Sequence, residues 1–271
     1  MNETELVCKI MDDAAPDWGV CDFSGFRDAL LPCRAQSRLP QNARRIITAV
    51  FPYRLPESMY ENTNISRYAA VPDYHTVVPP RLQSACDALQ ELYPDERFVP
   101  FSDNSPIPEV RAAIACGLGV RGDNGLFIHK EYGSFVFLGE IVTTLNLPVC
   151  EGTEGECLHC GKCRRACPVN ALESGKPDAA LCLSALTQKK GVLTPAEEAL
   201  IKKSGCAWGC DVCQNVCPLN EKAKINPLAA FAADVRPVLK SGCDIAGRAY
   251  EWRGRNVIDR NLRLLEEQAD V

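Results

Sequence analysis

The chain has no long apolar run, no excess of positive charge and no low-complexity tract. Its most apolar stretch, residues 132–148, carries Glu140 and is too short to cross a membrane. The first residues show neither the basic and apolar segments of a secretory signal nor a twin arginine. A net charge of −5 argues against a protein that holds nucleic acid by bulk charge. We therefore expect a soluble, cytoplasmic protein with no membrane partner.

Cysteine is abundant, with 16 residues in a chain of 271. In a reducing compartment, dense cysteine indicates metal binding rather than disulfides. Eleven cysteines lie between Cys150 and Cys243, which predicts a domain boundary near residues 147–156. The remaining five have no regular spacing and are interpreted as small buried hydrophobic side chains. They are Cys8, Cys21, Cys33, Cys86 and Cys116.

Apolar periodicity predicts a mixed α/β fold for the N-terminal half. The expected strands are residues 45–53, 97–101, 125–129 and 135–145, and the expected helices are residues 81–93 and 108–116. Two later helices are predicted at residues 194–203 and 255–268. These patterns suggest an α/β domain at 1–148, a cysteine-rich module at 149–225 and a helical segment at 226–271 that packs on the core.

The cysteine spacing is that of bacterial ferredoxins. Cys157-x2-Cys160-x2-Cys163-x3-Cys167-Pro168 is a complete run, and Cys210-x2-Cys213-x3-Cys217-Pro218 repeats its last three elements. The cysteine before each proline of such a run reaches the other cluster. We therefore predict two [4Fe–4S] clusters, rather than structural zinc, which usually shows two CxxC pairs. The second run lacks the first cysteine of the pattern, and either Cys182 or Cys206 supplies it. The predicted ligand sets are Cys157, Cys160, Cys163 and Cys217 for the first cluster, and Cys167, Cys210, Cys213 and Cys182 or Cys206 for the second.

Several longer motifs resemble the epoxyqueuosine reductase family. They are RYAAVPDYH (67–75), FSDNSP (101–106), residues 117–144, HCGKCRRACPVNAL (159–172) and GCDVCQNVCPLN (209–220). The resemblance implies a nitroreductase-like, corrinoid-binding domain followed by a ferredoxin-like double-cluster module. It also implies a cobalamin-dependent enzyme that removes an epoxide oxygen in the last step of queuosine synthesis on tRNA. The family pattern has a cysteine at position 182 and not at 206, so it favours Cys182.

The resemblance also suggests site residues. Asp103 matches the proposed proton donor of the family, a role in which a carboxyl protonates the alkoxide left by an opened epoxide. The alternative role for Asp103 is an Asx-turn before Pro106. The glycines of the corrinoid pocket either allow close backbone approach or simply form turns. The matched pocket positions are Arg67, Tyr68, Asp73, Tyr74, His75, Gly119, Gly122, Asn124, Tyr132, Gly133 and Ser134, and His75 is not expected to bind the cobalt.

Three departures from the family pattern bear on the substrate. The helical-repeat extension that helps hold tRNA is not found, Val110 replaces a basic residue, and Asp123 replaces a lysine. A small electrophilic substrate or modified nucleoside is therefore expected, with tRNA as a further candidate. Electrons would come from a low-potential donor of the ferredoxin or flavodoxin type. The alternative function is a two-cluster electron-transfer protein that serves or reactivates a partner corrinoid protein.

Overall fold

The computed structural model describes residues 3–150, 152, 155–174 and 177–269. The described residues divide into two compact units. Unit 1 comprises Met1–Pro52, Tyr74–Arg121 and Phe127–Cys157, and unit 2 comprises Tyr53–Asp73, Gly122–Leu126 and Leu158–Val271. The helices and strands, numbered along the chain, are α1 (Glu3–Ala14), β1 (Asp17–Asp22), β2 (Arg45–Pro52), α2 (Arg67–Ala70), α3 (Val78–Leu92), β3 (Phe98–Phe101), α4 (Glu109–Ala115), β4 (Gly119–Arg121), β5 (Phe127–His129), β6 (Val136–Thr143), α5 (Lys162–Ala166), α6 (Leu183–Thr187), α7 (Pro195–Ser204), α8 (Val212–Asn215), α9 (Ala229–Ala232) and α10 (Arg255–Ala269).

Unit 1 is built on a four-stranded antiparallel sheet with the order β1-β2-β6-β3. The central strands β2 and β6 correspond to two of the four strands that the sequence predicts. Their register sets Ile47 opposite Ile141 and Thr48 opposite Glu140. Residues of β2 are buried on both faces of the sheet, which explains why β2 reads as a continuous apolar run. The mixed α/β class predicted for this half is confirmed.

Helices α3 and α4 supply apolar side chains to unit 1. Leu82, Cys86 and Leu89 of α3 are buried, as their helical spacing predicts, whereas Tyr93 is only half-buried. α4 packs Ala112 and Ala113 into the cluster that also holds Ile46 and Val142. Of the five irregularly spaced cysteines, Cys21, Cys86 and Cys116 are buried, and Cys8 and Cys33 are half-buried.

Unit 2 consists of short helices around a smaller core. Leu183, Leu186, Leu193, Ile201 and Leu264 form its apolar cluster. The predicted stripe on α10 is largely buried, at Val257, Ile258 and Leu262, while Leu265 packs against the cluster as a half-buried side chain. None of the helices in the described part of the chain has the length and apolar character that crossing a membrane requires.

The segment 53–73 precedes the sheet's later strands in sequence but belongs to unit 2. Ile65 pairs with Trp208 in a parallel bridge, and the Ser66 N–H donates to the Trp208 carbonyl at 2.8 Å. The Asn226 N–H donates to the carbonyl of Arg54 at 2.7 Å. Long-range hydrogen bonds therefore place segments that are distant in sequence in the same unit. As a result, neither unit is a continuous stretch of chain, unlike the domains predicted with boundaries at 148 and 225.

Helix α7 begins with a capping box, which yields a stability prediction. The Thr194 hydroxyl accepts the Glu197 N–H at 3.3 Å, and the Glu197 carboxylate accepts the Thr194 N–H at 2.8 Å. Loss of an N-cap hydroxyl costs about 1 kcal/mol. We expect Thr194→Ala to lower the free energy of unfolding by that amount in urea denaturation followed by circular dichroism. Val192→Ala, at a side chain that is 92% exposed, is the control and should leave it unchanged.

Candidate functional site

The first cysteine run folds as a short helix that follows a tight turn. Gly161 has a left-handed backbone, φ 66°, at the N-cap of α5, which carries Cys163 and is followed by Cys167. A Cβ atom at position 161 would lie 2.9 Å from the guanidinium of Arg165, on a backbone that side chains rarely adopt. Glycine therefore allows the chain to reverse between Cys160 and Cys163.

The second cysteine run repeats this arrangement. Helix α8 carries Cys213, and Cys217 is the N-cap of the 3-10 turn Pro218–Asn220. The side-chain amide of Asn220 donates to the Gln214 carbonyl at 2.8 Å and closes the turn around Cys217. α8 packs against α5, so the two runs lie side by side within unit 2.

Four predicted ligands lie close enough to interact electrostatically. Cys210 interacts with Cys167 and Cys182, and Cys213 interacts with Cys210 and Cys182. The four thiols are free and half-buried and come from three separate segments of unit 2. They form the set that the sequence assigns to the second cluster with Cys182 as its fourth member. Four converging cysteines are the donor set that a [4Fe–4S] cluster needs.

Cys206, the other candidate for this set, is engaged elsewhere. Its thiol lies 3.3 Å from the carbonyl oxygen of Trp208 and 3.2 Å from that of Gly209. This arrangement favours Cys182 as the ligand. In the first predicted set, Cys163 and Cys217 are half-buried and Cys160 is exposed in unit 2, and Cys157 is half-buried at the end of unit 1. The assignment of those four residues to one cluster stays a prediction.

Asp103 lies in a loop between β3 and α4 with an unusual backbone. Asp103 and Asn104 are both left-handed, with φ values of 55° and 41°, a conformation that is uncommon outside glycine. The Asn104 N–H donates to Asp103 Oδ1 at 2.8 Å, so one carboxyl oxygen has the local turn role expected of an aspartate. The other, Oδ2, lies 3.4 Å from His75 Nε2. The side chains of His75 and Asp103 are 47% and 59% exposed, and their polar atoms are accessible to a ligand.

A cavity of about 390 Å³ lies beside this pair in unit 1. Its lining includes His75, Ser102 and Arg38. The Ser102 hydroxyl is buried and has no hydrogen-bond partner among the described residues. A cavity of this size suits a small organic ligand, and an orphaned hydroxyl in its wall is a polar group that such a ligand satisfies. The ring of Tyr74 stacks on Phe137 and packs at a tilt against His75, with centroid distances of 4.7 and 4.1 Å, and so supports the histidine.

Other residues of the predicted corrinoid pocket are engaged within their own units. In unit 2, the Arg67 guanidinium contacts the Glu57 carboxylate at 2.7 Å through both oxygens. The Tyr68 hydroxyl accepts the Trp208 indole N–H at 2.8 Å, and burial raises the pKa of Tyr68. The Asp73 N–H donates to a carbonyl in the C-terminal segment. These contacts hold α2 and its flanks in place.

The loop after β5 is similarly built from internal contacts. Tyr132 is buried and stacks on His129 at 5.1 Å, Gly133 exchanges backbone hydrogen bonds with His129, and Ser134 is buried. His129 Nε2 in turn lies 3.0 Å from Asp17 Oδ2. The corrinoid-contact role of Tyr132, Gly133 and Ser134 stays a prediction.

Gly119 and Gly122, two glycines of the predicted corrinoid pocket, have structural roles. A Cβ atom at Gly119 would lie 2.2 Å from the Ile128 carbonyl oxygen, so the glycine is required by the β4–β5 pairing itself. The Gly122 N–H donates to the Leu126 carbonyl at 2.9 Å and closes the hairpin turn within unit 2. In the same turn, the Asn124 side chain is buried and donates a hydrogen bond to Cys213. Asn124 thus contacts a predicted cluster ligand.

The Asn124 contact predicts an effect on the reduction potential. Hydrogen bonds to cluster sulfur stabilise the more negative, reduced cluster. We expect Asn124→Leu to make the potential of one cluster more negative in a redox titration monitored by electron paramagnetic resonance. Asn42→Leu, at an exposed position of unit 1, is the control. Equal potentials in the wild type and both variants would show that the hydrogen bond has no such role.

Burial raises the pKa of three carboxyl groups in the structure. Glu140 lies in the middle of β6 with no exposed surface, and Glu109 begins α4. Burial raises the pKa of Glu109 to about 7 and that of Glu140 well above its usual range. Asp211 accepts the Arg67 N–H at 2.7 Å, and burial raises its pKa to about 6. The signal for Glu140 was in the sequence, because a single glutamate interrupts the apolar strand.

Comparison with known proteins identifies the family. Residues 156–220 match the model of a 4Fe-4S double cluster binding domain, and residues 34–104 match that of epoxyqueuosine reductase QueG, DUF1730. An epoxyqueuosine reductase of Lactococcus garvieae (strain Lg2) is 32% identical over 259 residues, which cover 88% of this chain and 73% of that protein. The chain belongs to the epoxyqueuosine reductase family. Its members are named as reductases, which are oxidoreductases. The 4Fe-4S double cluster binding domain indicates two iron–sulfur clusters.

Solved structures of the family share this fold. The epoxyqueuosine reductase of Streptococcus thermophilus superposes with a TM-score of 0.82 at 24% identity, covering 100% of this chain and 82% of that one. An epoxyqueuosine reductase with an epoxyqueuosine-modified tRNA-Tyr stem loop gives a TM-score of 0.78, covering 97% and 80%. A reductive dehalogenase described with a mechanism for B12-dependent dehalogenation gives 0.51 at 14% identity, covering 93% of this chain and 35% of that one.

Proposed function

We propose that the protein reduces the epoxide of an epoxyqueuosine-type nucleoside to an alkene, with Asp103 as the proton donor. The observation that carries the proposal is the exposed His75–Asp103 pair beside a cavity with an orphaned hydroxyl, in a chain of this family. Asp103 and Asn104 are both left-handed, and this turn would allow the loop to hold the Asp103 carboxyl at a reacting oxygen.

The reaction balances with two electrons and two protons. Both C–O bonds of the epoxide break, a carbon–carbon double bond forms, and the oxygen leaves as water. Ring opening places negative charge on the oxygen, and the Asp103 carboxyl supplies a proton to it. His75 Nε2 lies 3.4 Å from Asp103 Oδ2 and would help to orient the carboxyl. The ring of Tyr74 packs against His75 and would restrict the movement of the imidazole.

We infer that a corrinoid would bind unit 1 on the side of the Asp103 loop. His75, Asp103 and the buried Ser102 hydroxyl present polar groups there. The family resemblance implies a corrinoid pocket in which no protein side chain binds the cobalt. The pairing of His75 with the Asp103 carboxyl agrees with that expectation. Bound cobalamin would supply a low-valent, strongly nucleophilic metal centre for epoxide opening. We infer that unit 1 is a nitroreductase-like corrinoid domain, and a resemblance to B12-dependent dehalogenases supports this inference.

We also propose the electron path and its partners. A low-potential donor of the ferredoxin or flavodoxin type would reduce two [4Fe–4S] clusters in a ferredoxin-like module. Cys157, Cys160, Cys163 and Cys217 would bind one cluster, and Cys167, Cys182, Cys210 and Cys213 the other. The electrostatic proximity of the latter four thiols supports this assignment. Each cluster stores one electron at a time, so two clusters suit a two-electron reduction.

The substrate we propose is the modified nucleoside within tRNA. A relative has been solved with an epoxyqueuosine-modified tRNA stem loop, and that relative shares the fold over 97% of this chain. The net charge of −5 means that tRNA binding relies on local basic surface rather than on bulk charge. Binding should therefore weaken steeply with salt.

An anaerobic titration with cob(II)alamin tests the cofactor proposal. We expect the iron-loaded protein to change the cobalt signal in electron paramagnetic resonance with one equivalent bound per chain. An unchanged cobalt signal, with clusters that are still reducible, would contradict the proposal. That outcome would identify a two-cluster electron-transfer protein that acts on a partner.

A further inference from the structure

One buried histidine holds the loop between β5 and β6. The backbone N–H groups of residues 131–133 all donate to His129. The first two reach its ring nitrogen Nδ1 at 3.1 and 3.2 Å, and the third reaches its carbonyl oxygen at 3.1 Å. The His129 N–H in turn donates to the Gly133 carbonyl at 2.9 Å. A single residue therefore fixes the path of the loop through four hydrogen bonds.

These hydrogen bonds assign the tautomer of His129. Because Nδ1 accepts two N–H groups, it carries no proton, and the ring proton lies on Nε2. Nε2 lies 3.0 Å from Asp17 Oδ2 and donates to it. The His129 side chain has no exposed surface, so water does not compete for either nitrogen. Asp17 therefore acts on the loop through the imidazole, because its hold on the Nε2 proton makes Nδ1 a stronger acceptor.

Asp17, the first residue of β1, is held as a carboxylate. The Trp18 N–H donates to its Oδ1 at 2.8 Å, and Lys130 Nζ lies 3.2 Å from its Oδ2. Burial raises the pKa of Asp17, but the hydrogen bonds from His129 and Lys130 outweigh burial, so the pKa lies below its usual value. A hydrogen bond to an ionised acceptor is about twice as strong as a neutral one. The bond between His129 and Asp17 is therefore the strong member of the network.

The loop held in this way carries three positions of the predicted corrinoid pocket, Tyr132, Gly133 and Ser134. The Tyr132 ring stacks on the His129 ring with a centroid distance of 5.1 Å, and Gly133 has a left-handed backbone with φ 62°. The loop conformation is thus set by hydrogen bonds within unit 1. A loop that is already ordered binds its ligand more tightly, because less conformational entropy is lost on binding.

We propose that Asp17 and His129 are positioning residues that hold residues 129–134 in the conformation that binds the corrinoid. Asp17 fixes the imidazole, and the imidazole holds the backbone of the loop. Neither side chain is a catalytic residue, because both act through the loop. The cofactor part of this inference rests on the proposed cobalamin function of unit 1, whereas the hold on the loop rests on the hydrogen bonds alone.

Hydrogen–deuterium exchange of the iron-loaded full chain, read by mass spectrometry, tests the hold without cofactor or turnover. We expect Asp17→Leu to speed the exchange of amides 131–133 about tenfold, because the imidazole loses the acceptor that fixes its tautomer. Asp17→Asn retains an oxygen acceptor and should restore most of the protection. Asp13→Leu, at an exposed position of α1, is the control and should exchange like the wild type.

His129→Asn separates the two parts of the network. The asparagine oxygen can accept backbone N–H groups of the loop, as it does in an Asx-turn, but the side chain has no atom at the position of Nε2. This variant should keep much of the loop protection. Adding Asp17→Leu to it should cause no further loss, because the two residues act along one path. A further loss of the size seen in the single Asp17→Leu variant would show that Asp17 does not act through His129.

Anaerobic titration of the same variants with cob(II)alamin tests the link to the cofactor. Asp17→Leu should weaken cobalamin binding about tenfold and Asp17→Asn much less, with the iron content unchanged in both. Equal loop exchange in the wild type and Asp17→Leu would overturn the hold. Faster loop exchange with unchanged cobalamin affinity would overturn the positioning role. A wild type that binds no cobalamin would instead refute the proposed function and with it the cofactor role of the loop, and only the hold would stand.

Discussion

Asp103→Asn is expected to lower the rate of epoxide reduction about 100-fold or more, the usual contribution of a general acid. The amide retains the shape of the side chain and still accepts the Asn104 N–H, but it has no acidic proton to give to the opened epoxide. The clusters lie in segments distant in sequence and should retain their iron and their spectra. The measurement is the anaerobic single-turnover rate, followed by mass spectrometry of the nucleoside.

Asp95→Asn is the matched control for this prediction, because Asp95 is an exposed carboxyl outside the site. Its rate should equal that of the wild type. An Asp103→Asn rate within a factor of about three of the wild type would show that another group, or water, supplies the proton. His75→Gln separates the roles further, since loss of a positioning partner should reduce the rate less than loss of the acid.

Cys182→Ser is expected to remove one of the two clusters, leaving about four irons per chain instead of about eight. The Cys182 thiol interacts electrostatically with Cys210 and Cys213, and Cys210 also interacts with Cys167. A cluster that lacks one thiolate is readily lost. Iron analysis after anaerobic reconstitution, together with the spectrum of the reduced protein, gives the count.

Cys206→Ser distinguishes the two candidate ligands. The Cys206 thiol contacts the carbonyl oxygens of Trp208 and Gly209, contacts that a hydroxyl reproduces. This variant should therefore retain about eight irons per chain. A reversed outcome, with Cys206→Ser losing iron and Cys182→Ser retaining it, would reassign the fourth ligand.

The cluster module was the most predictable part of the molecule. Ferredoxin spacing is a local property, because Cys163 and Cys167 lie on and just after one short helix, α5, and the runs are contiguous in sequence. Strands β2 and β6 and helix α3 were also predictable, since each has a long apolar pattern that is local in sequence. Helix α1 was not predicted, although Val7 and Met11 are buried at helical spacing.

Long-range contacts explain what the sequence left open. Segment 53–73 joins unit 2 through its pairing with Trp208 and its hydrogen bonds to later residues, none of which has a local pattern. The same reason applies to Asn124, which sequence comparison linked to a corrinoid and which the structure places against Cys213.

Turnover of an epoxyqueuosine-modified tRNA stem loop tests the central proposal most directly. The iron-loaded protein would be mixed anaerobically with cobalamin, a reduced flavodoxin and the stem loop, and the nucleosides would be analysed by mass spectrometry. The account predicts loss of one oxygen atom from the modified nucleoside, dependent on cobalamin and abolished by Asp103→Asn. An unchanged nucleoside in the presence of bound cobalamin and reduced clusters would contradict it.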